Sequence, residues 1–300
     1  MIALPTRALR ALGRGALRPL RRSWRRHGLV LNYHRVAAPS GPDLWRLKVS
    51  PARFRQQLEV LRAATDVVPL AELDARATTR RDRPVVAITF DDGYADNLTA
   101  ALPLLSALDA HATFFITTAA IGRREPFWWD ALAALVSDPR RLAELHARLW
   151  VMDEPTRTAA LRELAAGLGR PLPALPDDLP LSHAELAQLC ASPLVEIGAH
   201  TVTHCHLPSL SAAGQREEIM GSRLACERLT GRVPSSFAYP YGALDSGAPA
   251  LVAACGFQRG CSTEPDAWWQ GGNPLLMPRF GVGDWDGARF ARMLRWAWLP

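Results

Sequence analysis

The chain has 300 residues, 48% of them hydrophobic, enough to bury the core of one large α/β domain or two modest ones. Its formal charge of +6 is unevenly placed: residues 1–28 carry eight arginines and no acid, leaving 27 basic against 29 acidic residues in the remainder. A body so close to neutral excludes a phosphate-binding surface over the whole protein, and nucleic acid is not an expected partner.

Arginine interrupts every apolar run within residues 1–28, so no secretory signal is expected there, nor a membrane span anywhere in the chain. This basic arm reads either as a solvated segment or as an amphipathic one on an anionic membrane surface, with Leu9, Leu12, Leu17 and Leu20 on its apolar side. An organelle transit peptide ranks last. The five cysteines are odd in number and form no C-x-x-C pair, which predicts buried free thiols in a reducing compartment. These features predict a cytoplasmic protein with peripheral contact to the inner face of the membrane through the arm.

Residues 29–300 read as one domain. Residues 29–33, 84–90 and 112–117 are continuous apolar runs, the pattern of strands buried on both faces of a parallel sheet. Weaker runs at 194–197 and 236–239 continue the series. Helical periodicity falls between them. Residues 51–63 put Phe54, Leu58 and Leu61 on one face, with Ser50 placed to cap. Residues 99–108 follow, where Pro103 is tolerated near the helix start, and 214–230 end at Gly231. Residues 124–180 are helical in pattern without a strand and end Pro-rich at 171–180, which predicts a helical insertion over the sheet. Ser182 then caps a helix through Leu189. The alternation predicts an α/β fold on a parallel sheet or barrel.

Chemistry concentrates where strands end. Asp91 and Asp92, in Thr89-Phe-Asp-Asp-Gly-Tyr94, are adjacent carboxylates after a buried strand, costly unless a cation sits there. Asp-Asp-Gly is also ordinary turn chemistry. His200 and His204, in Ala199-His-Thr-Val-Thr-His-Cys-His206, follow another strand four residues apart. That spacing predicts two imidazoles on one side of a helical turn, presented to one metal. Two histidines and one carboxylate leave positions open for water and substrate, which suits catalysis. Phe237-Ala-Tyr-Pro-Tyr-Gly242 ends a strand as well, and by itself reads best as a tight turn.

These three motifs in this order resemble the polysaccharide deacetylase family (carbohydrate esterase family 4), over about residues 29–279. The resemblance implies a distorted (β/α) barrel with fewer than eight repeats. It implies Asp91 as general base, and Asp92, His200 and His204 as ligands of a divalent metal, usually zinc. The Tyr241 backbone N–H would help form the oxyanion hole. Two departures stand out. Much of the family supplies the acid from a late Leu-x-His motif, and no histidine follows His206 here. Members with an N-terminal Tyr-His motif, such as the poly-N-acetylglucosamine deacetylases, point instead to His34 in Leu29-Val-Leu-Asn-Tyr-His34. Ala238 stands where many relatives carry an arginine that orients the base, and Arg279 in Met277-Pro-Arg-Phe280 is the candidate replacement.

Phe127, Trp128 and Trp129 read first as anchors of the insertion to the core, with Trp128 or Trp129 as candidate lid residues; Trp268 and Trp269 are read the same way. His206 is placed behind the metal ligands. The leading expectation is removal of N-acetyl groups from a hexosamine in a polysaccharide or lipid-linked glycan, a membrane-proximal precursor fitting better than a finished cell-wall polymer. O-deacetylation, N-deformylation and carbohydrate binding without catalysis are the alternatives.

Overall fold

The computed structural model describes residues 27–38, 43, 45–78 and 83–298. The basic arm expected over residues 1–28 lies outside them except for His27 and Gly28, which begin the first strand. In chain order the strands are β1 His27–Tyr33, β2 Arg35–Val36, β3 Lys48–Val49, β4 Asp66–Val67, β5 Val85–Phe90, β6 Ala112–Ile116 and β7 Val195–Ala199. They continue with β8 Ser236–Ala238, β9 Arg259–Cys261, β10 Trp268–Trp269 and β11 Phe280–Gly281. The helices are α1 Pro51–Ala64, α2 Leu73–Thr78, α3 Leu102–Ala107, α4 Trp128–Leu135 and α5 Pro139–Leu149. After them come α6 Glu154–Gly167, α7 His183–Cys190, α8 Ala212–Thr230, α9 Ala248–Ala254 and α10 Gly287–Trp298.

Strands β1, β5, β6, β7, β8 and β9 pair in that order, all parallel, and β11 joins β1 parallel on its other edge. β5, a run of six fully buried residues, lies inside this sheet, as its lack of polar alternation requires. β9 and β1 do not pair directly; one later segment links the two edges of the sheet. Met277 bridges Cys261 beside β9, and Phe280, three residues later, pairs with Leu31 of β1. One segment thus seals the barrel and covers both edges. This is the distorted (β/α) barrel with fewer than eight repeats that the family resemblance implies.

Several local expectations change. β1 starts two residues early because His27 and Gly28 pair with Trp269 and Trp268 of β10. Ser50 flanks α1 but makes no side-chain cap; its hydroxyl donates to Asp284 Oδ1 at 2.7 Å. The helix expected over 99–108 is a π turn, Asn97–Ala101, followed by α3, with Pro103 in the first turn of α3. Ser182 caps α7 as expected, in a reciprocal capping box with Glu185. Gly231 ends α8 at φ 70°, in the left-handed region that favours glycine. All five cysteines are buried and unpaired. Among the described residues, no helix is long and apolar enough to cross a membrane.

Between β6 and β7 stand α4, α5 and α6, with a small core of their own built from Leu132, Leu135, Leu142, Leu149 and Leu161. Phe127 and Trp129 belong to a second cluster with Tyr94 and Ala120, so this helical unit is stapled onto the strand ends.

Candidate active site

Parallel register carries the chemical residues to one end of the barrel. Tyr33 pairs with Phe90, and the Asp91 N–H donates to the Tyr33 carbonyl at 3.0 Å, so His34 and Asp91 follow neighbouring strands at the same level. The His200 N–H donates to Ile116, and Ala199 pairs with Phe237, which brings the loops after β6, β7 and β8 alongside.

Asp92, His200 and His204 are buried, and their ligand atoms lie within 4.8 Å of one another. Asp92 Oδ1 is 3.2 Å from His204 Nε2 and 3.5 Å from His200 Nε2, yet it receives no hydrogen bond. A buried carboxylate oxygen left without a donor is costly, and a cation is the partner that relieves it. His200 Nδ1 lies 2.8 Å from the Ala238 carbonyl, which orients the ring and leaves Nε2 its lone pair. The donor set and its environment fit a divalent metal.

The helical turn expected at His200 and His204 is absent. The chain from 200 to 206 is irregular, with Thr201 at φ 62° and His204 at φ 55°. These two left-handed residues, not a helix, bring the imidazoles together. Glu218 on α8 braces the loop, accepting from the Val202 and Thr203 N–H groups at 2.8 and 3.0 Å and from the Thr203 hydroxyl at 2.7 Å. No motif pointed to Glu218; its signal is a lone acid on a helix, visible only once the loop is folded. Asp92 at φ 76° and Tyr241 at φ 58° are also left-handed. Four such non-glycine residues in one site, each costing roughly 1–3 kcal/mol, persist only where the surroundings enforce them.

Asp91 sits beside this group, gripped by Arg279. NH1 donates to Oδ1 and NH2 to Oδ2, both at 2.7 Å, while the same guanidinium donates to the Ser262 carbonyl and the Thr89 hydroxyl. Burial by itself would raise the Asp91 carboxyl; Arg279 first, then His200, outweighs it and holds the acid below the ordinary carboxylate range. At Asp92 burial is likewise opposed, here by the two imidazoles, and the acid is held low. Burial pushes His204 down to about 4, whereas at His200 burial is outweighed by Asp91 and Asp92, which raise it.

His34 is half-buried, its carbonyl accepting from Asn97 Nδ2 at 2.9 Å. In the Tyr239–Gly242 turn, Gly242 and Ala243 donate to Tyr239 and Pro240, so among the described residues no backbone carbonyl accepts the Tyr241 N–H. The Tyr241 ring packs edge-on against His204 at 4.5 Å, and its hydroxyl accepts from Trp128 Nε1 at 3.3 Å. Trp129 also packs against His204, tilted, at 4.6 Å and is stacked on Phe127. Trp129 is therefore both core anchor and wall of the site. Trp268 is buried in β10 with its Nε1 on Asp74, away from this end, and His206 bonds Ser209 and packs at a tilt against Trp150 outside the ligand group. A cavity of about 340 Å³ runs from His204 and Thr203 past Trp128 and Trp129 to Arg157 and Arg162 of α6.

The sequence matches the polysaccharide deacetylase family over residues 78–260. The fold is similar to the deacetylase PplD of Streptococcus pyogenes in complex with acetate, with 18% identity and a TM-score of 0.64 over 92% of this chain and 100% of that one. It is similar to IcaB from Ammonifex degensii, at 19% identity and TM-score 0.64 over 91% and 97% of the two chains. It also resembles BC0361, a polysaccharide deacetylase from Bacillus cereus, at 20% identity and TM-score 0.64 over 90% of this chain and 69% of that one. No curated protein matches the chain.

Proposed function

The chain belongs to the polysaccharide deacetylase family and is a carbohydrate deacetylase, and we propose that it is a metal-dependent enzyme that removes the N-acetyl group of a hexosamine in a polysaccharide or lipid-linked glycan. The observation that carries this reading is the buried Asp92–His200–His204 group beside an aspartate clamped by a buried arginine. Asp92, His200 and His204 would hold a divalent cation, zinc by the chemistry of one carboxylate and two imidazoles. When bound, that cation supplies Lewis acidity toward water and the acetyl carbonyl.

The remaining work falls to the chain itself. Asp91, kept ionised by Arg279, accepts the proton of the attacking water. The Tyr241 N–H, without a backbone acceptor among the described residues, receives the negative charge that develops on the acetyl oxygen. An amine leaves only when protonated, and His34, level with Asp91 on the neighbouring strand, is the donor. Trp129 and Tyr241 close over His204 and keep bulk water from the ligands. Arg279 is a positioning residue, acting through Asp91 alone.

Acetate release by the zinc-loaded full chain from N-acetylated hexosamine polymers and from lipid-linked N-acetylhexosamines tests the proposal. Release from at least one of them is expected. Acetate release only from O-acetylated sugars, or formate release only from N-formylated ones, would replace it with the corresponding esterase or deformylase, and release from none would overturn it.

A further inference from the structure

The cavity beside His204 is lined by a buried cation that forms no ion pair among the described residues. Arg157 is 3% exposed and lines that cavity. Among the described residues the one hydrogen bond of its guanidinium is from NH1 to the Met152 carbonyl at 3.5 Å, the outer limit for such a bond. Its guanidinium carbon lies 5.1 Å from the centre of the Trp128 ring. The acids at the start of α6 have other partners, although the charge of Arg157 helps hold the exposed Asp153 carboxyl low. Asp153 accepts the Thr156 N–H as helix cap, in solvent, and Glu154 pairs with Arg123. Arg162 adds a further cation to the cavity wall, against Glu125 as the one further acid. Burying a guanidinium without a counter-charge is unfavourable, so a site that does so is prepared for an anion from outside.

The location gives that anion a context. Arg157 stacks on Trp128, Trp128 donates to the Tyr241 hydroxyl at 3.3 Å, and Tyr241 covers His204 at 4.5 Å. Three contacts therefore separate the guanidinium from the metal-binding group. We propose that Arg157 anchors an anion subsite, which receives a phosphate or carboxylate on the glycan next to the sugar that is deacetylated. The planar guanidinium fork suits both anions. The inference rests on the deacetylase reading and narrows it: the substrate is an acidic glycan, either a sugar phosphate such as a lipid-linked diphosphate or a polymer containing uronate.

The test uses the metal-loaded full chain as wild type, Arg157→Gln and Arg157→Lys, assayed for acetate release on three N-acetylhexosamine substrates. One is neutral, one carries a diphosphate, and one contains a neighbouring uronate. For one acidic substrate, Arg157→Gln is expected to raise KM about tenfold or more with kcat little changed. Arg157→Lys recovers part of the loss, and KM for the neutral substrate stays put. The acidic substrate that responds identifies the source of the anion. Equal changes on neutral and acidic substrates would assign Arg157 to packing on Trp128 and overturn the proposal, as would no change on any. If no substrate releases acetate, the deacetylase reading fails separately. Titration of pyrophosphate and glucuronate, followed by tryptophan fluorescence, then decides the subsite. Binding about tenfold weaker in Arg157→Gln supports it, whereas equal binding or none to wild type overturns it.

Discussion

Arg279 holds both oxygens of Asp91 at 2.7 Å across 188 residues of sequence, with neither side chain exposed to solvent beyond 3%. Removing the guanidinium in Arg279→Met strands a buried carboxylate, at a cost of about 3–5 kcal/mol. Denaturant unfolding of the variant is expected to show a loss of that size. The double variant Asp91→Asn/Arg279→Met recovers most of it, because no buried charge remains. A single variant as stable as the wild type would mean that the pair does not need its charge balance.

His34 is assigned to proton delivery, so its importance depends on the leaving group. His34→Gln is expected to lower kcat on an N-acetyl sugar about a hundred- to ten-thousand-fold. On an aryl acetate, whose phenolate leaves without a proton, the loss is much smaller. Equal losses on amide and ester would remove the proton-donor role.

Glu218 touches no ligand atom, yet it takes three hydrogen bonds from the loop that presents His204. Partners of this kind are worth about 10–100-fold in metal affinity. Competition with a chromophoric chelator should show zinc affinity falling by that factor in Glu218→Gln, and zinc failing to raise the melting temperature of His200→Ala. Unchanged affinity in Glu218→Gln would show that the loop holds its shape without the carboxylate.

Asp130 is half-buried behind the site, where the Tyr94 hydroxyl donates to it at 2.7 Å. Burial raises its carboxyl to about 7, with Tyr94 and Arg35 only partly opposing. An acid whose folded pKa is raised gives stability that is complete below its unfolded value, near 4, and is lost as pH rises through the folded value. The melting temperature of Asp130→Asn should therefore gain on that of the wild type between pH 4 and pH 7, and then run level with it. A constant difference across that range would show that Asp130 does not titrate there.

Gly242 follows Tyr241 at φ 65°, and a Cβ there would overlap the Thr263 side chain. Gly242→Ala is expected to disturb the turn that aims the Tyr241 N–H, lowering kcat about a hundredfold while the metal still binds. Intact kcat in a folded Gly242→Ala protein would detach the turn from catalysis.

The parallel strands were legible because residues buried on both faces cannot alternate, as Val85–Phe90 demonstrates. The closing strands were not: β10 and β11 have two residues each, too few for any period to register. At the site, the spacing of His200 and His204 picked out two imidazoles that the structure does bring together, though not through a helical turn. Local sequence suggests a helical turn, while the left-handed backbone at Thr201 and His204 is imposed by distant partners such as Glu218. Arg157 escaped notice because an arginine on a helix ordinarily faces water, and only the packing of α6 against Trp128 buries it.

The stretch from Met277 to Phe280 both joins the two edges of the barrel and carries Arg279. During synthesis Asp91 leaves the ribosome long before its guanidinium partner exists. On the proposed mechanism, joining the two edges of the sheet is thus also the step that arms the base, and a chain whose ends are not yet joined has the residues proposed to hold a metal but no poised carboxylate. Hydrolytic competence would then serve in effect as a report that the fold is complete.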